Sequence, residues 1–318
     1  MHRIILDTDV AMGAPGSDID DGFAMALAVD LADQSLELVT TVNGNTDVET
    51  STLLALDLLE RLGRPDIPVV KGARTPLLRP LHDHPARDRV IGVRERLAGH
   101  KPAPGRAATA IIDCILANPG EITLVAIGPL TNVAVALALE PEITSAVKEI
   151  IVMGGAFMRT TRALAMPGEF NVWVDPEAAA IVLNSGAPMR FIGLDVTLQV
   201  RLNRADADRL KATGRPFAGY AGECAHAWID YLAETYPGQD FHSAPMHDAL
   251  AVAVVSRPNL VTWRPARVEV EVTSPITRGV TVADLLASRD PPKPNCLVAT
   301  EVDAMAFIEF FLNHVYSL

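Results

Sequence analysis

Cysteine is scarce in this chain of 318 residues: Cys114, Cys224 and Cys296 are its three, and they lie far apart. Their number and scatter exclude a disulfide framework and the paired spacing of a structural zinc site, leaving buried thiols in a reducing cytosol as the expectation. Long apolar runs are missing too. Every aliphatic stretch is broken by charge, Gly or Pro, so no membrane-spanning helix is expected. The opening run Ile4-Ile5-Leu6 meets acidic residues too soon to be the apolar part of a signal peptide. Basic residues are outnumbered, 27 Lys and Arg against 39 Asp and Glu, for a net charge of -12. Without a basic stripe, neither nucleic acid nor an anionic membrane is an expected partner. A cytoplasmic protein is expected.

What is present is ample apolar material, 49% of residues, with 21% charged. Short aliphatic runs at residues 4–6, 36–42, 122–127, 148–153 and 189–194 read as buried strands. Ala- and Leu-rich helical patterns fit between them at 20–31, 48–62, 107–117, 130–139 and 176–184, several followed by Gly or Pro. The alternation predicts an α/β fold, a single domain over residues 1–318 with a mostly parallel open sheet flanked by helices. Residues 74–106 and 159–168 show little periodicity and read as long loops. Further on, 205–235 is mostly helical, 249–255 is a helix, 266–272 and 297–302 are strands, and 303–315 is a last helix. In such a sheet, ligands collect where strands end and helices begin.

The first strand runs into Asp7-Thr8-Asp9, and after a Gly- and Pro-containing loop comes Asp18-Ile19-Asp20-Asp21, five carboxylates in all. Like charges this close repel unless a cation or protons neutralise them. Helix capping accounts for one or two Asp residues at a helix start, not five. With no His or Cys among them, the donors favour Ca²⁺ or Mg²⁺ over zinc. Four more elements stand at strand-to-helix junctions: Met246-His247-Asp248, Ile127-Gly128-Pro129-Leu130-Thr131-Asn132, Glu169-Phe170-Asn171 and Asn43-Gly44-Asn45. Each taken alone is also ordinary capping or turn chemistry. Trp228, Tyr231 and Tyr236 lie on a predicted helix, where aromatic residues belong to the core more often than to a base-stacking wall.

Taken in order, these elements together with Met153-Gly154-Gly155, Asp175-Pro176-Glu177, Thr277-Arg278-Gly279 and Glu301-Val302-Asp303 resemble the inosine-uridine nucleoside hydrolases over nearly the whole chain. The resemblance implies hydrolysis of the N-glycosidic bond of ribonucleosides. It implies Ca²⁺ held by Asp9, Asp21, Asp248 and the backbone carbonyl of Ile127. It places Asp20, Asn45, Met153, Glu169 and Asn171 on the substrate, with Asp20 and Asn171 at ribose hydroxyls and Glu169 toward the 5′ end. Asp9 is then the general base on metal-bound water, and His247, whose reference pKa suits the task, the acid for the leaving base. The implied partners are a ribonucleoside and further copies of the chain, as a homodimer or homotetramer.

Three departures accompany the resemblance. The family signature is Asp-x-Asp-Pro-Gly-x-Asp-Asp, whereas residues 10–19 add seven positions between Asp9 and Asp20 and bring in Asp18 as a competing carboxylate. An Asn often found shortly before Glu-Phe-Asn is missing, with Ala163 near its place, and a His-Gly-x-x-Gly-Leu segment is not evident around Gly92. Two alternatives stay open: a nucleoside- or sugar-binding protein without turnover, and a haloacid-dehalogenase-like phosphatase with Asp7 as nucleophile.

Overall fold

The structure, a computed structural model, describes residues 1–79, 91–158, 165–238, 242–286 and 288–318. Its strands are β1 His2–Thr8, β2 Gln34–Thr41, β3 Val69–Lys71, β4 Ile122–Ala126, β5 Glu149–Met153, β6 Met189–Ile192, β7 Arg201–Asn203, β8 Ser243–Pro245, β9 Val261–Val270, β10 Thr281–Asp284 and β11 Cys296–Val302. Nine of them form one sheet in the order β10-β9-β11-β6-β5-β4-β1-β2-β3, and β7 and β8 pair separately. From β3 across to β11 the pairings are parallel, and β9 and β10 extend that edge antiparallel. A mostly parallel α/β sheet flanked by helices is therefore what the chain builds.

The helices are α1 Asp20–Asp30, α2 Val48–Arg61, α3 Ile91–Arg96, α4 Ala107–Ala117, α5 Thr131–Leu139, α6 Ile143–Ala146, α7 Phe170–Val174, α8 Pro176–Leu183, α9 Leu194–Thr197, α10 Arg204–Ala212, α11 Ala218–Thr235, α12 His247–Ser256 and α13 Ala304–Val315. The twofold alternation of each strand divides the core. In β1, Ile4 and Leu6 join the layer of α1, α2, α12 and α13, while Ile5 faces the layer of α4, α5 and α8. In β5, Ile151 and Met153 take the first layer and Ile150 and Val152 the second. Both faces are covered, which is why these strands read as continuous apolar runs.

Residues 74–106 are not one long loop. They hold α3 and a bridge from Ala103 to Val70, while 80–90 lie outside the described residues. Most of the 159–168 segment, including Ala163, also lies outside them. The helical stretch at 205–235 is two helices, broken where Thr213-Gly214-Arg215-Pro216 cannot continue a turn and Gly214 takes a φ of 62°. No helix among the described residues is long and apolar enough to cross a membrane. Cys296 is buried, Cys114 and Cys224 are partly so, and all three are free.

Candidate active site

At the carboxyl edge of the parallel strands, β1, β2, β4 and β5 deliver their following residues to one place. There a cavity of about 530 Å³ is lined by Asp20, Asn45, Ile127, Met153, Glu169, Asn171, His247 and Asp248, eight of the ten residues singled out in the sequence. The other two, Asp9 and Asp21, are fully buried behind its wall.

Each is fixed by local structure. Asp9 leaves β1 beside two glycines: a Cβ on Gly44 would stand 1.9 Å from its Oδ2, and one on Gly128 2.8 Å from its Oδ1. Its Oδ2 accepts the backbone N–H of Asn45 at 2.6 Å, and among the described residues its buried Oδ1 has no hydrogen-bond partner. Asp21, in the first turn of α1, accepts the Thr8 hydroxyl at 2.5 Å and the Asn45 side-chain amide at 3.2 Å. Thr8, the middle residue of Asp-Thr-Asp, was not singled out; its donor role shows only when β1 and α1 are brought together. Asp20 accepts the backbone N–H of Asp248 at 3.1 Å, tying the start of α1 to the start of α12.

Carboxylate oxygens of Asp20, Asp21 and Asp248 lie within 4.8 Å of one another, all buried. Burial, then the charge of neighbouring carboxylates, Asp21 among them in each case, pushes Asp9, Asp20 and Asp248 well above the usual carboxylate range. Asp21 is pushed to about 7, chiefly by burial, against the hydrogen bond from Thr8 that favours its charged form. Oxygen donors alone, self-repelling and with the Asp9 Oδ1 unsatisfied, fit a hard divalent cation.

On the other wall, Asn171 donates its side-chain N–H groups to the carbonyls of Ile127 at 2.9 Å and Met153 at 3.1 Å. The Ile127 carbonyl keeps a second lone pair. Glu169 caps α7: its carboxylate accepts the N–H groups of Asn171, Val172 and Gly155 at 2.9, 3.1 and 3.0 Å. His247 Nδ1 lies 2.6 Å from the Thr197 hydroxyl, which orients the ring. Trp228 and Tyr231 of α11 stack on each other, centroids 5.4 Å apart, and both line the cavity with Tyr236. They form part of the wall, Trp228 also packing against the core, while the inner face of α11 is taken by Ala218, Ala221, Ala225 and Ile229. Gly16, Ser17 and Asp18 of the 10–19 segment also line the cavity.

Asp7 is not at the cavity. It is buried in the opposite layer, accepting the Thr40 hydroxyl at 2.5 Å and the Asn132 amide at 2.8 Å, and burial pushes it to about 7. A nucleophile there has no access to substrate, which removes the phosphatase alternative.

The family model described as "Inosine-uridine preferring nucleoside hydrolase" matches residues 4–309. The pyrimidine-specific ribonucleoside hydrolase RihA of Enterobacter sp. (strain 638) is 35% identical over 98% of this chain and 97% of its own. The non-specific ribonucleoside hydrolase RihC of Salmonella newport (strain SL254) is 38% identical over 96% and 94%. Among solved structures, a plant nucleoside hydrolase superposes with a TM-score of 0.88 at 30% identity, covering 100% of this chain and 99% of its own. The purine-preferring ribonucleoside hydrolase from Gardnerella vaginalis gives 0.84 at 29%, covering 99% and 98%.

Proposed function

Since the chain belongs to the inosine-uridine preferring nucleoside hydrolase family, we propose that it hydrolyses ribonucleosides to a free base and ribose, with Ca²⁺ at the Asp9 cluster. One observation carries the reading: Asp9, Asp20, Asp21 and Asp248 gather, buried and mutually repelling, at a cavity of about 530 Å³, a volume that suits a small ligand such as a nucleoside. Asp9, Asp21, Asp248 and the Ile127 carbonyl would hold the cation, which when bound would offset their charge and polarise oxygens placed beside it.

Cleavage at C1′ builds positive charge on the ribose, and the surrounding carboxylates favour it. Asp20 and Asn171 grip ribose hydroxyls, Glu169 meets the 5′ end, and Asn45 and Met153 complete the sugar's contacts. Asp9, with its unpartnered Oδ1, takes the proton of the attacking water. His247, oriented by Thr197, gives a proton to the departing base. The protein works as a cytoplasmic homodimer or homotetramer.

The test is release of reducing sugar from a panel of nucleosides, with and without chelator. Turnover is expected to vanish with chelator and return with Ca²⁺, and Asp9→Ala to lose about 10³-fold or more. 2′-Deoxynucleosides should react far more slowly than ribonucleosides, since they lose contacts that strengthen toward the transition state. Nucleoside binding without any sugar release would instead assign the chain a sensing role.

A further inference from the structure

The walls of the cavity carry the carboxylates of Asp18, Asp20, Glu169 and Asp248, and among the described residues lining it one side chain is a permanent cation, Arg201 on β7. Its Nε donates to the Ser243 hydroxyl and one Nη to the Ser243 carbonyl, both at 2.7 Å. A guanidinium has five N–H donors, so three remain. Among the described residues no carboxylate makes a salt bridge with it, and burial lowers its affinity for its proton. The Ser243 clamp holds this half-buried cation in one orientation.

Its place in the chain ties it to the segment that carries His247. In the β7–β8 ladder Arg201 pairs with Pro245, two residues before His247. The preceding residue, Val200, accepts the N–H of Met246, and Thr197, four residues earlier, contacts the His247 ring. Arg201 and His247 thus come from two segments fastened to each other, and both line the cavity.

Building on the hydrolase reading above, we infer that Arg201 is a catalytic residue of the leaving-group site, contacting the polar edge of the nucleobase. As the C1′–N bond breaks, its electron pair passes into the base and spreads onto ring nitrogen and carbonyl oxygen. Water forms the new C1′–O bond and gives its proton to Asp9. The fixed N–H groups of Arg201 meet the negative charge on the base, and His247 supplies the proton that leaves it neutral. A donor set that stands ready before charge develops lowers the barrier without reorganising.

The experiment compares Arg201→Gln and Arg201→Lys with wild type on inosine, uridine and p-nitrophenyl riboside, whose phenolate departs without help. Arg201→Gln is expected to lower kcat on inosine and uridine by about 10- to 10²-fold, with the p-nitrophenyl riboside within about threefold. Arg201→Lys, which keeps the charge and loses the fork, should fall between. In Arg201→Ala, added guanidinium should restore part of the nucleoside turnover. Equal loss on all three substrates, or unchanged nucleoside turnover, overturns the assignment while leaving the hydrolase reading intact. A wild-type protein that releases sugar from none of them overturns both.

Discussion

Single atoms decide the chemistry at the Asp9 cluster. Gly44 and Gly128 are there because nothing larger fits: the added methyl of Gly44→Ala would overlap the Asp9 carboxylate. Gly44→Ala should therefore cost roughly 1–3 kcal/mol in a denaturant melt, and lower kcat more than the loss of folded protein explains. His247→Ala should depress turnover on nucleosides with poor leaving groups by about 10² or more, and matter far less for p-nitrophenyl riboside. A uniform loss on both would make His247 a support for ribose binding or folding. Neither glycine's role could be read beforehand, since a Gly in a turn looks the same whether it frees the backbone or clears room for a carboxylate. The Asp residues were legible because five carboxylates in one short segment demand an explanation. Arg201 carried no such signal: one Arg among many is notable only when it is seen to line the cavity with its guanidinium clamped by Ser243.

Among the elements, strands buried on both faces were the easiest to read, and β1, β4, β5 and β6 appear close to their expected bounds. β9 was expected to begin at 266 and begins at Val261, because Arg264 and Pro265 disguise a strand whose first half lies exposed beside β11. The short pair β7–β8 has three residues per strand, below what periodicity detects, yet it positions Arg201. The 10–19 segment leans on α11, and Gly13 makes that approach possible. Its φ is 98°, and a Cβ would stand 1.9 Å from the Tyr220 hydroxyl oxygen. Gly13→Ala is expected to cost roughly 1–3 kcal/mol and, by shifting Gly16 to Asp18, to raise KM more than it lowers kcat. Thermal melts beside steady-state kinetics check this; an unchanged KM in a destabilised protein would confine the segment to a structural role.

For the whole molecule, a cation held by the buried carboxylates, as proposed above, would couple its binding to folding, since the unfolded chain disperses them and keeps no site. Saturating Ca²⁺, at about 100 times its dissociation constant, should stabilise the native state by about 2.7 kcal/mol. That should appear as a rise of several degrees in Tm that Asp248→Ala abolishes. A melt indifferent to Ca²⁺ would mean that protons or another ion neutralise the cluster. The two sides of that cluster are tied to each other: Thr8 of β1 and the Asn45 side chain both donate to Asp21 of α1, while the Asn45 backbone N–H donates to Asp9. The chain between them is itself packed: Val10, Ala11, Met12 and Ile19 are buried, and Met12 lies against Gly22 of α1. Residues 10–19 thus work as a shelf: a base sunk into the core holds Gly16, Ser17 and Asp18 out along the cavity, so what the cavity admits and how well the molecule holds together are set by the same ten residues.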